Sequence, residues 1–219
     1  MLVSHKHKFI TIDIPKTGTR SFRESLHPLG LIDIVGEPSV EADFYQHDTA
    51  IRVKQQFLKR DLNWNNYFKF TIARNPWVRY LSFFSYYKDY AQRYDNIDSG
   101  ASWEPAQINQ GKMCSQLFKQ HDDRTAFRHI INDTCSQDVF YLDHDKNIIV
   151  DHVARFENLS NEFKLLCKHA QIPHVELKHT NKSKTIEIIS QLLDQEMIDT
   201  IAKKEKYTIE LMKYTDTDI

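Results

Sequence analysis

One segment near the amino terminus most constrains how this chain can fold, because a strand pattern runs directly into a helix pattern there. Residues 9–14 alternate apolar and polar side chains and are rich in β-branched ones, which predicts a strand. Phe22 and Leu26 stand four residues apart, as one face of a helix requires. The turn between the two patterns reads Pro15-Lys16-Thr17-Gly18-Thr19-Arg20-Ser21. The segment therefore predicts a strand, a tight turn and a helix in direct succession.

This turn has the composition of an anion-binding site. The first backbone N–H groups of a helix lack intrahelical partners and the helix dipole is positive at that end, so an anion is stabilised there. Gly18 permits close approach of the backbone, and cations and hydroxyls flank it. It is not a Walker A loop, because Lys16 precedes the glycine instead of following a second one. Taken alone, the segment leaves open an ordinary turn with surface cations.

Length, charge and cysteine content limit the possible classes of protein. A chain of 219 residues is long enough for a sizeable core, and we expect a single domain over residues 1–219. Lysine and arginine number 29 against 30 acidic residues, so there is no global basic field for nucleic acid or an anionic membrane. The chain has no long apolar run and three widely spaced cysteines. We therefore expect a cytoplasmic protein without a signal peptide or membrane span, although an excised lumenal domain would look the same.

Alternating strand and helix patterns along the rest of the chain predict an α/β fold with a mainly parallel central sheet flanked by helices. Further strands are expected at 31–35, 67–73, 139–142 and 148–153, and further helices at 49–59, 77–90, 125–131, 157–170 and 186–214. Asp48 is the expected N-cap of the helix at 49–59. Residues 91–123 show little periodicity, with only 113–118 expected to form a short ordered piece, and are interpreted as a substrate-facing insertion or lid. His5 and His7 are placed in a mobile N-terminal tail.

A second cationic position follows another predicted strand. Arg74 stands where the strand at 67–73 ends and the next helix begins, and Ser82 follows about two helical turns later. Ligands of open α/β sheets bind at the carboxyl ends of the strands, and both Lys16 and Arg74 fall at such ends. Two anion sites at neighbouring strand ends suit a nucleotide with two separated phosphate groups, such as a dinucleotide or a 3′,5′-bisphosphate.

Five segments of the chain resemble the sulfotransferases that use 3′-phosphoadenylyl sulfate (PAPS). Residues 15–21 resemble that family's P-K-T-G-T-x-S loop for the 5′ phosphosulfate, and residues 74–82 resemble its R-x-P…S element for the 3′ phosphate. Residues 47–50 (H-D-T-A), 151–159 (D-x-x-x-R-F-E-N-L) and 179–183 (H-x-N-x-S) resemble elements of the carbohydrate-directed, sulfotransferase family 2-like branch. The resemblance spans about residues 9–185 and implies a P-loop-NTPase-like sulfotransferase fold.

The resemblance also implies a role for each residue of the phosphate motifs. Lys16 would neutralise the charge that develops on the leaving 5′ phosphate as its bond to sulfur breaks. Arg74 and Ser82 would bind the 3′ phosphate, and Lys182 and Ser183 would close over the same nucleotide. The 5′ phosphate would be held by Thr17, Gly18, Thr19, Arg20 and Ser21. The implied donor is PAPS, the implied product is 3′-phosphoadenosine 5′-phosphate (PAP), and no metal is required.

The acceptor hydroxyl needs a general base, and histidine suits that role near neutral pH. We choose His47 because it lies just before a helix, in the part of the chain between the two phosphate motifs. A helix-entry histidine bonded to the backbone is the alternative interpretation, and Asp13, Glu24 and His27 are the other candidate bases. The acceptor that the branch implies is a hydroxyl group of a saccharide.

Two other classes of protein remain open. A small-molecule kinase of the P-loop type shares the strand-loop-helix phosphate site, but its Walker lysine and its carboxylates for Mg²⁺ are not apparent in the sequence. A catalytically inactive nucleotide-binding module is the other class, and the presence of Lys16 and His47 argues against it. Metal sites and Ser-His-Asp hydrolysis lack their motifs. Arg155 is expected either to pair with Glu157 or to face the ligand, and the pattern does not indicate an oligomeric state.

Overall fold

The computed structural model describes residues 1–39, 41–97, 103–173, 176–177 and 189–218. Its strands are β1 Leu2–Ser4, β2 Phe9–Ile12, β3 Ile34–Val35, β4 Phe68–Ala73 and β5 His152–Arg155. Its α-helices are α1 Thr19–Leu26, α2 Ala50–Leu58, α3 Pro76–Asp95, α4 Pro105–Gln120, α5 Asp123–Asp133, α6 Leu159–His169, α7 Gln195–Lys204 and α8 Lys206–Met212. Short 3-10 turns occupy His27–Leu29, Trp64–Asn66, Asp138–Phe140, Phe156–Asn158 and Asp216–Asp218.

The strands form one five-stranded sheet in the order β3-β1-β2-β4-β5. Strands β2, β4 and β5 pair in parallel, with Thr11 opposite Phe70 and Thr71 opposite Val153. Strand β1 pairs antiparallel with both β2 and β3. The predicted α/β fold, with a sheet that is parallel in its core and flanked by helices, is therefore confirmed.

The chain divides into two compact units. The first contains the sheet and comprises Met1–Asn75, the described residues of 136–177, and Glu210–Lys213. The second is helical and comprises Pro76–Cys135 together with the described residues of 189–209 and 214–218. The expectation of one domain over residues 1–219 stays a prediction. Within the described residues, no helix combines the length and the apolar character needed to span a membrane.

Both faces of the sheet carry an apolar core within the first unit. In β2, Ile10 and Ile12 face one core and Phe9 faces the other, as the two-residue period of a strand requires. The first core packs the strands against α2, and the second packs them against α1 and α6. Because helices cover both faces, the loops at the carboxyl ends of the parallel strands are the natural positions for a ligand.

The N-terminal segment is a strand and not the expected mobile tail. Leu2 and Val3 are fully buried in β1, which lies between β2 and β3. His5 and His7 belong to the turn that joins β1 to β2, and His5 Nδ1 lies 2.8 Å from the Tyr67 hydroxyl. The tail prediction is wrong because these polar residues form a hairpin turn, and the three-residue strand before them is too short for its period to show.

The segment at 91–123 is more regular than its sequence indicates. Helix α3 extends to Asp95, and α4 begins with a capping box between Glu104 and Gln107. The buried residues of α4 are small: Gly111, Cys114 and Ser115. The ordered piece expected at 113–118 lies in α4, but its expected length is wrong, because a helix with so small a buried face shows little apolar periodicity. Its role as a substrate-facing insertion or lid stays a prediction.

Other differences from the sequence expectations lie at the ends of elements. The strand expected at 139–142 is a 3-10 turn followed by an isolated bridge between Leu142 and Ile148. Thr49, and not Asp48, is the N-cap of α2, and its hydroxyl accepts the N–H of Arg52. Asp48 instead pairs through its carboxylate with the Arg52 side chain at 3.1 Å. In the described part of 186–214, the separate helices α7 and α8 stand in place of one long helix.

Candidate functional site

The turn from β2 to α1 leaves the N-terminus of the helix without a side-chain cap. Gly18 is the N-cap of α1 with φ 78°, a left-handed conformation that favours glycine, and no side chain caps the helix there. A Cβ at position 18 would lie 2.6 Å from the Phe156 ring. Lys16 also has a positive φ, 69°. The backbone of this loop is thus constrained at Lys16 and Gly18 and leads directly into the N-terminus of α1, the end of a helix that stabilises an anion.

The side chains of the loop divide between internal and solvent-facing positions. Thr17 is fully buried, and its hydroxyl donates to the Ile14 carbonyl at 2.9 Å, which closes the turn. Arg20 is exposed and pairs with Glu24 at 2.6 Å along α1. The phosphate contacts of the loop stay predictions for Thr17, Gly18, Thr19, Arg20 and Ser21. For Thr17, the structure adds a role in fixing the shape of the loop.

His47 lies against the backbone that leads into the same loop. Its Nδ1 is 2.8 Å from the Asp13 carbonyl oxygen, which can only accept, so Nδ1 carries the proton and Nε2 is the basic nitrogen. Burial lowers the pKa of His47 below its usual value and outweighs the opposing effects of the Asp13 carbonyl and carboxylate. The imidazole is therefore neutral at physiological pH, in a tautomer with one free basic nitrogen to accept a proton.

The other candidate bases have environments less suited to proton abstraction. Asp13 is buried and paired with Arg23 at 2.9 Å. Burial alone would raise the pKa of Asp13, but the chain's α-amino group and Arg23 outweigh it and hold that pKa below its usual value. Glu24 is engaged by an arginine of α1, and His27 is exposed beyond the end of that helix. This comparison favours His47, whose role stays a prediction.

Arg74 connects the second phosphate motif to the first. It directly follows β4, and its Nη1 donates to the Lys16 carbonyl at 3.2 Å. Its guanidinium lies 4.4 Å from the centre of the Phe156 ring, a favourable cation–π distance. The parallel pairing of β2 with β4 explains the encounter, because the carboxyl ends of parallel neighbours lie at one edge of the sheet. The two cationic loops therefore meet as the sequence analysis expects.

Three residues outside the two phosphate motifs support this corner of the sheet. Gln137 is fully buried, and its amide bonds both backbone groups of Arg74: Oε1 accepts the N–H at 2.9 Å and Nε2 donates to the carbonyl at 2.9 Å. The Glu157 carboxylate accepts the backbone N–H of the residue after Arg74, Asn75, at 2.8 Å. Phe156 contacts both Arg74 and Gly18. The R-F-E-N-L segment was an available signal for Phe156 and Glu157, whereas Gln137 belongs to no recognisable motif.

The structure gives fewer contacts for the remaining residues that are predicted to bind the nucleotide. Ser82 is buried, with 6% of its surface exposed, and lies on α3 in the second unit. Lys182 and Ser183 lie outside the described residues, so their roles stay predictions. Arg155 Nε lies 3.9 Å from the Glu157 carboxylate, which agrees with the ion-pair interpretation. In the described part of the chain, no group of three or more histidine, cysteine or acidic side chains is arranged to hold a metal ion.

The fold and this corner define a class: an α/β protein with a strand-loop-helix that carries a cation and a second cation at the neighbouring strand end. The chain belongs to the sulfotransferase family, whose model matches residues 1–215. The match confirms the resemblance to family 2-like sulfotransferases. Searches of curated proteins and of solved structures gave no match. Membership of the family indicates an enzyme that transfers a sulfuryl group to an acceptor.

Proposed function

We propose that this chain transfers the sulfuryl group of PAPS to a hydroxyl group of a saccharide. The observation that supports the donor most directly is the hydrogen bond from Arg74 to the Lys16 carbonyl. It joins two loops that each carry a cation, and a 3′,5′-bisphosphate nucleotide has two phosphate groups to match them. Family membership is consistent with PAPS as the donor.

In the proposed reaction, the acceptor oxygen attacks sulfur while the bond from sulfur to the 5′ phosphate oxygen breaks in line. His47 Nε2 takes the proton of the acceptor hydroxyl and becomes an imidazolium, held in orientation by the Asp13 carbonyl. The Lys16 ammonium neutralises the negative charge that accumulates on the departing phosphate. PAPS supplies the activated sulfuryl group and leaves as PAP, so the protein forms no covalent intermediate.

The proposed nucleotide contacts follow the motifs. Residues 17–21 hold the 5′ phosphate at the N-terminus of α1, where the helix dipole and backbone N–H groups stabilise negative charge. Arg74 and Ser82 bind the 3′ phosphate. Lys182 and Ser183 close over the same nucleotide.

The proposed acceptor class depends on two elements that resemble the carbohydrate-directed branch. Both contact the Lys16 loop or the backbone leading into it: His47 bonds the Asp13 carbonyl, and Phe156 packs against Gly18. Elements at that position are suited to shape the space beside the transferred group. This supports a saccharide hydroxyl as the acceptor.

Thermal unfolding with two nucleotides tests the donor. PAP at 100 times its Kd should add about 2.7 kcal/mol to the free energy of unfolding and therefore raise Tm. ATP, which lacks a 3′ phosphate, should not raise Tm. Lys16→Ala should abolish sulfuryl transfer from PAPS to a panel of saccharides while retaining most of the PAP affinity. Lys54→Ala, on an exposed position of α2, is the control and should change neither quantity.

The same experiment distinguishes the two other classes of protein. Stabilisation by ATP without stabilisation by PAP would favour the P-loop kinase and contradict the proposal. Stabilisation by PAP with no transfer to any acceptor of the panel would favour the inactive nucleotide-binding module.

A further inference from the structure

We propose that Gln137 is a positioning residue that sets the preference of the nucleotide site for a 3′ phosphate. It would act by fixing the backbone from which the Arg74 side chain projects. The inference rests on the proposed function, because it assumes that Arg74 binds the 3′ phosphate of PAPS.

The Gln137 side chain supplies the hydrogen bonds that a neighbouring strand would supply, at the point where the sheet ends. Ala73, paired with Arg155, is the last residue of β4, so Arg74 is the first residue beyond the strand. Buried backbone N–H and C=O groups need partners, and the single carboxamide of Gln137 binds both groups of Arg74 at 2.9 Å. A side-chain amide thus mimics a peptide group and holds Arg74 in a defined backbone position.

The core anchors Gln137 itself. The backbone carbonyl of Gln137 accepts the N–H of Phe140 at 3.1 Å, which fixes Gln137 to the 3-10 turn that follows. Phe140, Tyr141 and Leu142 are buried in the apolar core that also contains α2. The clamp on Arg74 is therefore supported by packed side chains and not by a free loop.

The two ends of Arg74 are held independently. Gln137 binds its backbone, whereas Phe156 and the Lys16 carbonyl contact its guanidinium. A guanidinium held in advance loses less conformational entropy when it binds a phosphate through two parallel hydrogen bonds. Releasing the backbone should therefore weaken the interaction with the 3′ phosphate specifically.

Nucleotide selectivity tests this role. Gln137→Met keeps the length of the side chain and removes both hydrogen bonds. We expect it to weaken PAP binding about tenfold, because the Arg74 side chain must then be ordered when the nucleotide binds, while the affinity for adenosine 5′-phosphate is unchanged. Calorimetric titration with the two nucleotides gives the ratio of the Kd for adenosine 5′-phosphate to the Kd for PAP, which measures the preference for the 3′ phosphate. Gln137→Glu still accepts the Arg74 N–H but replaces the donor to the Arg74 carbonyl by a second oxygen, so it should also reduce the ratio.

A matched control and a double variant separate positioning from general destabilisation. Gln56 is also buried in the first unit, and its Oε1 accepts from Arg60 at 2.7 Å, so Gln56→Met should leave the ratio unchanged. In an Arg74→Ala background, Gln137→Met should cause no further loss of PAP affinity.

Several outcomes would overturn the inference. These are an equal loss of affinity for both nucleotides, no loss for either, or a full effect of Gln137→Met in the Arg74→Ala background. If Gln137→Met does not fold, Gln137→Glu must still lower the ratio. A native chain that binds adenosine 5′-phosphate as tightly as PAP would overturn the proposed function as well, whereas a native preference that Gln137→Met leaves intact overturns only this inference.

Discussion

The carbonyl oxygen of Asp13 determines which nitrogen of His47 can act as a base. The hydrogen bond at 2.8 Å requires a proton on Nδ1, and burial lowers the pKa so that Nε2 stays unprotonated at neutral pH. One backbone group therefore sets both the orientation and the tautomer of the proposed base. An ordinary helix-entry histidine could make the same bond, so only kinetics separates the two interpretations.

His47→Asn tests the proposed base, because its side-chain amide can still donate to the Asp13 carbonyl. We expect kcat for sulfuryl transfer to fall by about 10² to 10⁴, the usual contribution of a general base, with Tm and PAP affinity close to those of the native chain. In the native chain, kcat/KM should decrease as pH falls through the lowered pKa of His47, below the ordinary value of about 6.5. Near-normal turnover of His47→Asn would remove His47 from this role.

The lowered pKa of His47 also affects the stability of the fold. The direction in which the free energy of unfolding changes with pH provides a control for the pH profile of the rate. The unfolded chain takes up a proton on His47 below about pH 6.5, whereas the folded chain resists protonation there. The free energy of unfolding should therefore decrease as pH falls, and less so for His47→Asn. Denaturant titrations at each pH show where the native chain is still folded and the rates can be interpreted.

At the scale of elements, the β2-loop-α1 segment requires Gly18 for two separate reasons. Its φ of 78° is unfavourable for other residues, and an added Cβ would lie 2.6 Å from the Phe156 ring. Gly30 has a similar φ of 63°, but an added Cβ there would have no neighbour within 4 Å. The two glycines thus share the backbone constraint and differ in the steric one.

Replacing each glycine by alanine separates these effects. Gly30→Ala should lower the free energy of unfolding by about 1 kcal/mol, the cost of the left-handed conformation alone, and leave PAP binding unchanged. Gly18→Ala should cost more and weaken PAP binding, because Phe156 must move from its place beside the loop and beneath Arg74. Thermal unfolding and PAP titration of both variants provide the measurement. Equal effects of the two variants on PAP affinity would contradict the role of the Gly18–Phe156 contact.

The elements that could be predicted are those whose signal is local. The β2-loop-α1 segment shows its strand and helix periods within eighteen residues, and the meeting of the Lys16 and Arg74 loops follows from the rule on strand ends. Gln137 could not be predicted, because its two bonds join positions 63 residues apart and follow no period. Strand β1 is too short to show alternation, and α4 buries small residues that give no apolar stripe.

At the scale of the whole molecule, the family match and the charge balance are the relevant properties. The family model covers residues of both compact units, so the helical unit belongs to the family pattern as much as the sheet does. The charge is nearly balanced, with 29 basic and 30 acidic residues. Under the proposed function, attraction of the anionic nucleotide must therefore come from local groups such as Lys16, Arg74 and the N-terminus of α1.

This charge balance makes a prediction about association kinetics. Without a net positive field there is no long-range steering, so the association rate of PAP should change by less than about tenfold between low salt and physiological ionic strength. Salt should act mainly on the dissociation rate of PAP. It does so by screening the loop cations, because the Debye length at 0.15 M is about 8 Å. Stopped-flow binding over a range of salt concentrations measures both rates. A steep decline of the association rate with salt would mean that a surface field, and not the constrained loops around Gly18 and Arg74, brings the nucleotide to its site.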